Sequence, residues 1–98
     1  MELRQLRYLL VLGKELHFAK AAEKLFITQP ALSKQIQKLE EELGLKLFDR
    51  TKRKVSLTKA GAYLMDEAEY MLNHLERAVD ATKRKALGED GEIRVGFV

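Results

Sequence analysis

The chain contains no cysteine, so neither a disulfide nor a thiolate metal site can hold it together, which fits a reducing compartment. Its two histidines, His17 and His74, stand 57 positions apart and offer no metal-ligand spacing. They read instead as capping or solvent-exposed residues. Ser33 and Ser56 are the only serines. Neither sits in a nucleophile-elbow motif, and no glycine-rich phosphate loop occurs, so catalysis lacks an inventory and no enzyme is expected. Long hydrophobic runs are missing too. The stretch Tyr8 to Leu12 is too short for a signal peptide or a membrane span, which leads us to expect a soluble cytoplasmic protein with no membrane partner.

What is present is 98 residues with 46% apolar content, enough for one small domain and an appendage. The net charge of +3 is unevenly spread. Residues 1–57 hold 12 Lys and Arg against 7 Asp and Glu, whereas residues 58–98 hold 6 against 8. A polyanion would sit on the basic half, although charge alone is equally met by an ordinary solvated surface.

Apolar Leu3, Leu6, Leu9, Leu10 and Leu12 recur at three- and four-residue steps and predict a helix over residues 1–16, weakened near its end by Gly13. Phe18, Ala21, Ala22 and Leu25 predict a short second helix whose small face admits a close neighbour. Thr28 and Gln29 are both candidates for the cap of a third helix, and Pro30 suits its first turn, where no backbone donor is needed. That helix runs over residues 29–43 and ends at Gly44. Leu45, Leu47, Val55 and Leu57 alternate with polar residues around "DRTKRK", predicting two short strands and a basic loop with no tight Asn-Gly turn.

A helical pattern then covers residues 58–87, about 45 Å long. Met65, Ala68, Leu72, Leu75, Val79, Thr82 and Ala86 form one stripe along it. The first two turns are expected to pack on their own domain. Beyond about Met71 the domain is too small, so the stripe predicts a partner helix and a dimer. Residues 88–98 read as an acidic hinge and the first strand of a further domain. Phe18, Phe26, Phe48, Tyr8 and Tyr63 are assigned to the core by the apolar pattern. Glu40, Glu41 and Glu42 occupy the unfavourable end of the helix dipole, where they would either repel phosphate or form a solvated face, the latter reading being favoured for Glu41, and Glu42 could pair with Lys46. Gln35 is left open between a groove contact and a helix-facing polar residue.

Two short helices joined by a tight turn, the second with an uncommitted polar face, form a helix-turn-helix pattern. Thr28, Gln29, Pro30, Ser33, Lys34 and Gln37 would line the groove-facing side. Gln can address adenine through two bonds, Lys can address guanine or phosphate, Ser can serve either, and Pro30 offers apolar surface to a thymine methyl. Arg50, Lys52, Arg53 and Lys54 place four charges within five residues of a strand pair, a wing over residues 46–57 that can follow the backbone or enter the minor groove.

The run "FAKAAEKLFITQPALSKQIQKLEEELGLKLFDR" resembles the N-terminal DNA-binding domain of LysR-type transcriptional regulators. The matching residues are Ala21, Ala22, Leu25, Thr28, Gln29, Pro30, Ser33, Ile36, Leu39, Glu40, Leu43, Gly44, Leu47, Phe48 and Arg50. "LTKAG" at residues 57–61 is similar to the start of that family's linker helix. His17 departs from the pattern, because a serine often caps the second helix there. The resemblance implies a mainly α, winged helix-turn-helix domain over residues 1–57 and a linker helix over residues 58–87. That helix would pair antiparallel with its mate. It also implies a further domain that takes a small-molecule effector, tetramers at full length, double-stranded DNA as partner, a bacterial cytoplasm, and no cofactor within these residues. Two alternatives stand beside it: another winged-helix regulator, and a coiled-coil interaction module with an incidental basic half.

Overall fold

The computed structural model describes residues 1–88. Four helices and one strand pair follow in the order α1 (Leu3–Glu15), α2 (Phe18–Lys24), α3 (Gln29–Leu43), β1 (Phe48–Asp49), β2 (Ser56–Leu57) and α4 (Lys59–Ala86). The expected hinge and strand lie beyond Gly88, outside the described residues, so nothing structural bears on them.

The core is the meeting of the apolar faces of α1, α2 and α3. Leu9, Leu12, Ala21, Ala22, Leu32, Ile36, Leu39, Leu47 and Phe48 are buried together. Ala21 and Ala22 supply the small surface that lets α1 and α3 close in on α2. Gly13 does not weaken α1. The helix continues through it to Glu15, and the Met65 thioether of α4 packs into the space that a Cβ would fill. Termination comes later, at Leu16, in the left-handed region at φ 51°.

Two aromatic assignments are overturned. Phe26 is 93% exposed, held at φ 58° in the turn between α2 and α3. Its left-handed backbone directs the side chain outward, while Leu25 and Ile27 on either side pack on the core. Tyr63 is 70% exposed, because Gly61 and Leu64, rather than Tyr63, face the domain at the start of α4. Tyr8, Phe18 and Phe48 do join the core.

The strand pair is shorter than the alternation predicted. Phe48 pairs with Leu57 and Asp49 with Ser56, antiparallel. Leu45 is exposed, and Leu47 is buried just before the strand begins. Thr58 continues the connection past the ladder. Its amide donates to the Leu47 carbonyl at 3.0 Å and its hydroxyl to the Lys46 carbonyl at 2.8 Å. The same hydroxyl oxygen accepts from the Gly61 amide and caps α4. Gly61 is required here, since a Cβ would run into the Leu47 carbonyl.

Helix α4 has 28 residues, about 42 Å at 1.5 Å each, and its C-terminal half extends away from the domain. The apolar stripe therefore divides. Ala68 is fully buried against the helix's own domain and Met65 packs on α1, which removes Ala68 from any intermolecular seam. Met71, Leu75 and Val79 remain 42%, 40% and 43% exposed. Thr82 is exposed as well, with its hydroxyl turned back to the Ala78 carbonyl. Among the described residues, no helix is long and apolar enough to cross a membrane.

Candidate nucleic-acid interface

Helix α3 buries Leu32, Ile36 and Leu39 and leaves Gln29, Pro30, Lys34 and Gln37 exposed, with Ser33 half-buried between them. Thr28 is the cap. Its hydroxyl oxygen accepts from the Ala31 amide at 3.2 Å, and Pro30 follows in the first turn. Gln29 is thus the first helical residue rather than the cap, and its side chain stays free of capping duty. Gln35 faces inward, accepting from Gln5 Nε2 at 3.4 Å, which settles it as a bridge between α1 and α3. Helix α2 is capped by His17 in place of the serine that the family pattern favours, with Nδ1 accepting from the Lys20 amide at 3.2 Å.

The wing runs beside this face. Asp49 opens its loop by accepting from both the hydroxyl and the amide of Thr51, at 2.6 and 2.9 Å. The Thr51 hydroxyl, followed by its amide, holds the Asp49 carboxyl below the usual carboxylate range. Lys52, Arg53 and Lys54 are exposed and form no salt bridge with any described residue. Arg53 and Lys54 share a trough of about 730 Å³ with Gln29, His17 and Lys20. Arg50 and Thr51 share a second cleft, of about 370 Å³, with Gln37. The basic loop therefore flanks the polar face of α3 along its length.

Arg50 is set apart from the other three cations. Its guanidinium carbon lies 4.5 Å from the centre of the Phe18 ring, and Nη1 donates to the Ser33 oxygen at 3.1 Å. It belongs to the junction of α2, α3 and β1 more than to the tip of the wing.

Sequence reasoning missed Glu40. The residue is buried, and its carboxylate accepts from the Leu47 and Phe48 amides at 2.8 and 3.2 Å, with Lys46 Nζ at 3.9 Å. It ties the end of α3 to the start of the wing. The signal available was an acid on the buried stripe, one residue after Leu39. Glu42, read as a neighbour of Lys46, instead pairs with the Met1 amino group at 2.7 Å.

A model for the bacterial regulatory helix-turn-helix protein, lysR family, matches residues 3–62. The chain belongs to the LysR family. It carries that family's helix-turn-helix DNA-binding domain. It is 46% identical over 98 residues to the HTH-type transcriptional regulator AlsR of Bacillus subtilis, covering all of this chain and 32% of AlsR. It is 48% identical over 98 residues to the regulator BenM of Acinetobacter baylyi, again covering 100% of this chain and 32% of the relative. The chain thus spans about a third of the length of these curated relatives. The crystal structure of the BenM_DBD/catB site 1 DNA complex matches with a TM-score of 0.88 and 47% identity, over 91% of this chain and 96% of that one.

Proposed function

We propose that this chain is the DNA-reading part of a dimeric transcriptional regulator, with α3 in the major groove and the wing on the backbone or minor groove. The supporting observation is the exposed polar face of α3 bordered by the exposed cations of the wing. An α-helix fits the major groove, and side chains at its N-terminal end reach base edges. Gln29, Pro30, Ser33, Lys34 and Gln37 contact bases, and Thr28 stands at the helix start near a phosphate. Lys52, Arg53 and Lys54 neutralise phosphates, with Arg50 at the root of the wing. The crystallised DNA complex of the BenM domain supports the same use of this fold here.

Dimerisation through α4 would bring two recognition helices to one duplex. Leu72, Leu75, Val79 and Thr82 form the seam, with Met71 beside them. Residues 88–98 then lead into a domain that takes a small-molecule effector, and the complete regulator works as a tetramer in the bacterial cytoplasm, on the nucleoid.

The test is binding to a two-fold symmetric duplex and to random DNA across a salt series. A sequence reader shows a gap between the two duplexes, together with a steep fall of log K against log salt. No binding at low salt would leave an interaction module built on α4.

A further inference from the structure

The Phe18–Arg50–Ser33 arrangement is the feature of this surface that phosphate binding does not explain. An arginine that serves only as a phosphate ligand has no need of a fixed partner, and Lys52, Arg53 and Lys54 have none among the described residues. Arg50 has two. Its guanidinium carbon lies over the Phe18 ring, and one of its five N–H groups is spent on Ser33. Ser33 lies among Gln29, Lys34 and Gln37 on the groove-facing side of α3.

The consequence falls on the serine hydroxyl. It has one proton to donate and two lone pairs to offer. One lone pair is occupied by Arg50, and the nearby positive charge turns the O–H away from the guanidinium. A helical serine or threonine commonly spends that proton on the carbonyl one turn back, as Thr82 does with Ala78 at 2.8 Å. Ser33 makes no such bond to Gln29 or to any other described residue. Its proton is left unspent, on the exposed side.

We infer that Arg50 is a positioning residue that presents the Ser33 hydroxyl as a hydrogen-bond donor, so that Ser33 selects a base with an acceptor edge. The bases that fit are guanine, through O6 or N7, adenine, through N7, and thymine, through O4. Cytosine, whose N4 amino group only donates and finds one lone pair of the serine oxygen already taken by Arg50, is disfavoured. This rests on the proposal that α3 enters the major groove.

The experiment is selection of preferred sites from a randomised duplex pool by the 98-residue chain and by three variants, with salt slopes measured on the winning site. Ser33→Ala removes the hydroxyl. Arg50→Met keeps the packing on Phe18 but removes every donor, and Arg50→Lys keeps the charge but not the flat fork. We expect wild type to disfavour cytosine, relative to guanine, adenine and thymine, at one position of each half-site. Ser33→Ala and Arg50→Met should both lose that preference, by roughly three- to tenfold, the range of a single uncharged hydrogen bond. Arg50→Met should leave the salt slope unchanged, and Arg50→Lys should restore the preference only in part. Circular dichroism and the melting temperature separate these effects from loss of the fold. Should Arg50→Met weaken all sequences alike and lower the salt slope by about one, Arg50 is a phosphate ligand and the inference fails. It fails too if Ser33→Ala alters the preference while Arg50→Met and Arg50→Lys leave it intact. A wild-type chain that selects no sequence would overturn the groove-reading proposal itself, an outcome distinct from either.

Discussion

Lys34 and Lys52 carry the same charge, but the proposed reading gives them different work, because one projects from the exposed polar side of α3 and the other from the loop of the wing. Lys34→Ala should weaken binding to the preferred duplex by about 1–3 kcal/mol and barely change binding to random DNA. Lys52→Ala should weaken both duplexes and flatten the salt slope by about one ion. Equal losses from Lys34→Ala on the two duplexes would move that residue into the phosphate set. Asp49 permits a pH prediction at the same scale. Its carboxyl is held low by the Thr51 hydroxyl and amide. A group whose folded value lies below its unfolded one, about 3.9 for Asp, stabilises the fold above that unfolded value and ceases to do so as pH falls through the folded one. The turn that opens the wing should therefore loosen only in acid, below about pH 4. The Thr51 amide proton shift should titrate there, and a midpoint near neutrality would assign the turn to other forces.

Among the elements, the helices were the most legible, because a period of 3.6 sustained over many residues leaves few alternatives. The stop at Gly44 and the start of α4 at Thr58 follow from local chemistry that neighbours do not override, whereas the cap of α3 stays open between Thr28 and Gln29 until the structure gives it to Thr28. Failures occurred where a residue's direction depends on distant packing. Phe26 and Tyr63 have the apolar character of core residues, yet a left-handed turn turns one outward and the register of α4 the other. Arg50 reads as one cation in a basic run until folding brings Phe18 and Ser33 beneath it. The strands shrank because Thr58 and Glu40 supply bonds that a longer ladder would otherwise make. Glu40→Ala should therefore act on the wing before it acts on the helices. It leaves the Leu47 and Phe48 amides buried without an acceptor, at a cost of about 1–3 kcal/mol. Thermal melts should fall accordingly, and Glu40→Gln, which retains one acceptor oxygen, should lose less. Equal losses in the two variants would mean that the charge of the carboxylate, rather than its geometry, holds the wing.

At the scale of the molecule, the shape is a small domain with a long arm, 58 Å in its largest extent and 19 Å in its smallest. Ala68 is the last buried residue of α4, and Met71, Leu75 and Val79 beyond it are open. Leu75→Lys should split the proposed dimer while leaving the domain folded, because Leu75 lies beyond the last buried residue of α4 and is 40% exposed. Sedimentation would show a single-chain mass, with tight binding to a two-fold site lost and weak binding to single half-sites kept. A dimer that survives Leu75→Lys would place the interface elsewhere.

The open arm also ties secondary structure to mass action. An isolated helix of the length that overhangs the domain is marginal in water, since its apolar side gains nothing until a second chain covers it. Helix content per chain should thus fall on dilution. The decline should stop at the level set by α1, α2, α3 and the first turns of α4, with the Kd of association as its midpoint. On the proposed two-fold DNA site two half-sites would hold two chains at high local concentration, so the arm would complete its folding there at protein concentrations too low to fold it in free solution.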